Sequence, residues 1–119
     1  MGLAHLTDRL AAILQRYPPE SKECVACARE AWQLFQSEGI VAEVVHVTHT
    51  LLGQYFYTQD GVCFADTGFH VTVKVNDLLV DAITGPEGKP QQEHYTLWRD
   101  IEPNELMFTP MEMQDAPSD

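Results

Sequence analysis

Residues 69–83 read FHVTVKVNDLLVDAI, and few stretches of this chain restrict its fold more. β-Branched residues alternate on a period of two, an Asn-Asp pair interrupts them, and an apolar run returns. That pattern predicts a tight hairpin turning at Asn76-Asp77. A two-residue turn fixes the register: Val75 opposes Leu78, Thr72 opposes Asp81 and His70 opposes Ile83. Directly opposed residues share a face. One face of the ribbon is then uniformly apolar, with Val71, Val73, Val75, Leu78, Val80 and Ala82. The other carries His70, Thr72, Asp81 and Ile83, and His70 and Asp81 are diagonal neighbours. A carboxylate in that position can orient an imidazole.

A hairpin needs a partner to cover its apolar face. Two helical stretches precede it. Leu3, Leu6, Leu10, Ile13 and Leu14 recur at helical spacing up to Pro18-Pro19. Ala28, Ala31, Trp32, Leu34 and Phe35 form a second stripe, with Ser21 expected as its N-cap and Gly39 as its C-cap. After Gly39 the period changes. IVAEVVHVTHT and GQYFYTQ read as strands, Asp60-Gly61 as a turn and TGPEGKPQQEH as a loop. YTLWRDI reads as an edge strand or helical turn. The expectation is an α+β domain over residues 1–102, with N-terminal helices packed on an antiparallel sheet. Residues 103–119 are acidic and contain Met and Pro, and are expected to be a tail whose methionines can dock on the core.

Net charge narrows the partners. Eighteen acidic residues against seven basic give −11, which repels phosphate backbones and argues against nucleic acid. No apolar run reaches the ~20 residues that span a bilayer, and the N-terminus lacks a signal-peptide pattern. Three cysteines, an odd number, fit free thiols in a reducing compartment better than a disulfide framework. A cytoplasmic location is expected.

Two of those thiols, Cys24 and Cys27, stand three apart at the start of the second helix, in ECVACAREAW. A helix start carries unpaired N–H groups and a dipole that favours an anion, so a thiol there gains thiolate character. Cys24 as nucleophile, His70 as general base and Asp81 as orienting group satisfy the logic of nucleophilic catalysis. Cys27 and Cys63 read as packed residues. A zinc site using His46 and His49 is disfavoured because an odd separation on a strand puts them on opposite faces. A thioredoxin-like role for Cys24 and Cys27 lacks the preceding strand. No metal or cofactor is expected.

ECVACA, TGFHVTVKVNDLLVDAITG and LWRD together resemble the papain-fold toxin domains of bacterial polymorphic toxin systems. The matching positions are Cys24, Cys27, Ala28, Gly68, His70, Asp81 and Gly85, and the resemblance spans roughly residues 20 to 100. It implies a papain-like fold and a cysteine hydrolase, deamidase or acyl-transferase acting on a protein or peptide amide. It further implies a toxin or effector module delivered into a target cell and an immunity protein as partner. The chain departs from the pattern in one respect: papain-like enzymes place a Gln shortly before the nucleophile, and here none is closer than Gln15. Gln15, Tyr17 and Gln54 are the candidates for the second oxyanion or substrate contact. The alternative reading is a non-catalytic protein-binding module on the same fold.

Overall fold

The computed structural model describes residues 6–18, 21–49, 56–65 and 69–115. Two helices come first, α1 (Thr7–Gln15) and α2 (Cys24–Ser37). Seven strands follow: β1 (Glu43–His49), β2 (Phe56–Tyr57), β3 (Cys63–Ala65), β4 (Phe69–Val75), β5 (Leu78–Val80), β6 (Lys89–Pro90) and β7 (Leu106–Met111). A 3-10 segment, Gln91–Leu97, lies between β6 and β7. β2 and β3 form a small separate ribbon. The other five strands make one antiparallel sheet in the order β6-β5-β4-β1-β7. The chain is an α+β domain.

The hairpin forms in the expected register, Val73 opposite Val80 and Val75 opposite Leu78. Asn76 takes the left-handed conformation the tight turn requires, at φ 57°. β5 stops at Val80, so the chain leaves the ladder before it reaches the level of His70.

Both faces of β4 are buried. Val71 and Val73 meet the apolar core together with Leu10 of α1 and Ala28, Ala31 and Phe35 of α2. Trp32 of α2 shares a groove with Val44 and Met111, two residues in the Val73 row, which places α2 on that side of the sheet. On the other side His70, Val47 and Phe108 stand in one row across β4, β1 and β7. The Gln91–Leu97 segment and Trp98 cover that row.

Two expectations are corrected. The sequence places the N-cap of α2 at Ser21, but the helix begins at Cys24 with Glu23 as its cap. Ser21 Oγ accepts the Glu23 N–H, at 3.4 Å, while Cys27 N–H makes a helical bond to Glu23 O at 3.0 Å. The lysine between them, Lys22, takes φ 57°, which turns the chain before the helix can start. The expected tail from residue 103 also supplies β7, which pairs with β1 from Val44–Met111 to His49–Leu106. Pro110 is compatible with this because β7 is an edge strand, where a missing N–H donor costs little. The strand expected in GQYFYTQ is described only at Phe56 and Tyr57. Leu3 and Gly68 lie outside the described residues.

Candidate active site

Asp81 is the first residue after β5, and its carboxylate has two duties. Oδ1 accepts the backbone N–H groups of Ile83 and Thr84, both at 3.0 Å. Its own N–H is bound by Thr84 Oγ1 at 2.9 Å, and its carbonyl accepts the Gly85 N–H at 3.0 Å. Gly85 at φ 82° closes this turn. The turn thus holds Asp81 in place while Oδ2 meets Nε2 of His70 at 2.9 Å. His70 is 0% exposed and Asp81 3% exposed.

The electrostatics follow from this pairing. Burial alone pulls the His70 pKa down, but the Asp81 charge and hydrogen bond outweigh it and raise it to about 9, with the neighbouring Cys24 adding to the rise. Burial works against the Asp81 carboxylate as well, yet His70 holds its pKa well below the usual range. The pair is therefore charged at neutral pH, with Nε2–H donating to Oδ2.

Cys24 stands at the first position of α2, where the positive end of the helix dipole lies. It is 7% exposed. Cys24, His70 and Asp81 line one small cavity with Cys27, Ala82 and Tyr17, and its volume of about 10 Å³ is close to that of a single water-sized probe. Burial and the nearby Asp81 charge push the Cys27 thiol up to about 12, against a hydrogen bond from the Ala82 backbone.

Of the three oxyanion candidates, the structure brings only Tyr17 to this cavity. Its hydroxyl donates to the Glu30 carboxylate, which Arg16 also engages. Those bonds hold the Glu30 pKa low and, with burial, raise that of Tyr17. Gln15 is exposed on α1 and is not among the cavity's residues. Gln54 lies outside the described residues.

One residue at the site had no signal in the sequence. His94, in the segment read as a loop, is 0% exposed and stacks on the His70 ring at 5.7 Å and 13°. Trp98 meets the edges of both imidazoles, at 5.3 Å from His70 and 5.7 Å from His94. Phe108 closes the far side of His94 at 5.7 Å. Burial lowers the His94 pKa to about 4, with the Asp81 charge opposing and the charges of His70 and Lys89 reinforcing. His94 is thus a neutral ring lying on a charged one. Trp98 is a core residue, and its contact with His70 shields the ion pair from water.

Compared with known protein families, curated proteins and solved structures, this chain matches none.

The remaining histidine candidates are placed elsewhere. His46 packs against Phe69 with ring centroids 5.1 Å apart, and His49 Nε2 lies 3.6 Å from Glu105. Among the described residues, no group of three or more His, Cys, Asp and Glu is placed to hold a metal. No described helix is long and apolar enough to cross a membrane. Cys63 sits half-buried on β3, away from the cavity.

Proposed function

We propose that this chain is a papain-like cysteine enzyme acting on a protein or peptide amide. The observation that carries the reading is the buried His70–Asp81 pair at 2.9 Å, with Cys24 on the same cavity at a helix start. Three groups of complementary chemistry from three separate elements meet in one cavity. In the proposed reaction the Cys24 proton resides on His70 as Sγ attacks the carbonyl carbon. His70 then gives that proton to the departing nitrogen. Asp81 fixes the ring and stabilises its positive charge throughout. The positive end of α2 favours the developing negative charge. Water as the second nucleophile gives hydrolysis or deamidation, and an amine gives acyl transfer. The resemblance of ECVACA, TGFHVTV and LVDAITG to papain-fold toxin domains supports the same chemistry within a toxin or effector module, with an immunity protein as its cognate partner.

The closed cavity favours a second reading, a protein-binding module that retains the fold. The two are separated by iodoacetamide labelling across a pH series, with the modified cysteine located by mass spectrometry. The enzyme reading expects Cys24 to be labelled faster than Cys27 and Cys63, and that selectivity to vanish in His70→Ala. Three thiols labelled slowly with ordinary profiles would overturn it.

A further inference from the structure

Cys27 has no part in the reaction above, yet it occupies the same cavity as Cys24. Both are buried, neither is in a disulfide, and they stand three residues apart in the first turn of α2. Residues at this spacing lie on one helix face with Cβ atoms ~5–6 Å apart. A disulfide needs about 3.5–4.5 Å between Cβ atoms. Cys24 is the terminal residue of the helix, preceded by the turn at Lys22, so the closing movement falls where the backbone is least constrained. The bond so made is strained, and strained disulfides are the readily reduced ones.

Both thiols line the same cavity, so an oxidant that reaches Cys24 finds Cys27 already beside it. We propose that Cys24 and Cys27 form a reversible peroxide-driven disulfide that switches the site off. In the first step the Cys24 thiolate attacks one oxygen of hydrogen peroxide. The O–O bond breaks, Cys24 becomes a sulfenic acid, and the departing hydroxide takes the proton held by His70 to leave as water. In the second step Cys27 sulfur attacks the Cys24 sulfur. The S–O bond breaks and the hydroxyl leaves with the Cys27 proton as a second water. Two thiols and one peroxide thus give one disulfide and two waters, and a dithiol reductant reverses the change.

The order of attack is built into the site. Cys24 has His70 beside it to take its proton, whereas Cys27 is held as a thiol by burial and by the Asp81 charge. Cys27 therefore waits for the sulfenic acid. Once the bond forms, Cys24 has no nucleophile to offer. Capture by Cys27 also keeps Cys24 from further, irreversible oxidation.

The inference rests on Cys24 being the activated thiol of the proposed enzyme, and the experiment separates the two. Lys22 and Arg29 flank both cysteines, so trypsin releases them in one peptide, residues 23–29. The full chain is treated with hydrogen peroxide, quenched, digested without reductant and weighed. The expected result is a loss of about 2 Da from this peptide, restored by dithiothreitol. In Cys27→Ala the same peptide should instead gain oxygen, about 16 or 32 Da, with Cys27→Ser as the second variant should the first fold poorly. Cys63→Ala should behave as wild type. Stable oxygen addition at Cys24 in the wild type, or a bond through Cys63, overturns the disulfide while leaving selective alkylation of Cys24 intact. A ~2 Da loss that survives at the same rate in His70→Ala upholds the bond and removes the activation by His70.

Discussion

The substitution Asp81→Asn removes the charge of the orienting group and keeps its shape. The amide oxygen can still accept the Ile83 and Thr84 N–H groups, so the turn is preserved, while the amide nitrogen faces a His70 ring that has lost its counter-charge. With Asp81 gone, the desolvation of His70 is unopposed by it, and its pKa should fall from about 9 to the ordinary value of 6.5 or lower. At ~1.36 kcal/mol per pH unit this corresponds to roughly 3 kcal/mol, the lower end of the cost of breaking a buried pair by removing one partner. The sign follows from linkage. His70 binds its proton more tightly in the folded chain, so its contribution is complete below 6.5 and is lost as the pH rises through about 9. Asp81 contributes in the opposite sense: its stabilisation is present above 3.8 and is lost as the pH falls toward its lower folded value. The assay is urea unfolding at pH 7 and pH 9.5. At pH 7 the variant's midpoint should drop by roughly 1–3 M, and the wild-type decline between the two pH values should be absent from it. A variant within ~0.5 kcal/mol of wild type, with the same decline toward pH 9.5, would refute the charged-pair account.

Other outcomes follow from the same geometry. His94 is neutral in the fold down to about 4 while its unfolded form protonates near 6.5, so it destabilises the chain progressively as the pH falls through that window. The stability of His94→Phe relative to wild type should therefore increase between pH 6.5 and pH 4, by up to roughly 3 kcal/mol, read by denaturant titration at each pH. Cys24→Ala should abolish the proposed activity and cost about 1 kcal/mol of stability, because the residue is buried but small; outright unfolding would make Cys24 a core residue and remove the proposed nucleophile. Glu30→Gln should loosen the Tyr17 and Arg16 contacts at the mouth of the cavity. Iodoacetamide should then reach Cys24 several-fold faster, while stability changes by less than ~1 kcal/mol, as for other partly exposed ion pairs.

How far the site was legible depended on which residues obey a period. The hairpin was readable because alternation and a two-residue turn leave only one register, and the proximity of His70 to Asp81 comes with it. Beyond meeting His70, Asp81 also caps its own turn, since a carboxylate has an oxygen for each. Cys24 was recognisable at a helix start although the cap lay two residues from where a hydroxyl suggested it. His94 was invisible because a 3-10 segment has no long apolar stripe, and a histidine between Glu93 and Tyr95 looks solvent-exposed. β7 was missed because its apolar residues are interrupted by Thr109 and Pro110 and only pairing with β1 makes a strand of them.

That late strand has a consequence for how the chain is made and handled. β1 lies between β4 and β7, so during synthesis one of its edges has no mate until residue 111 has left the ribosome. Until then Val44, Val45 and Val47 sit in an open, strongly β-forming edge of the kind that recruits other chains. Cutting the gene after residue 102, where the composition changes, would make that interval permanent. Such a fragment would keep Cys24, His70 and Asp81 and is expected to aggregate.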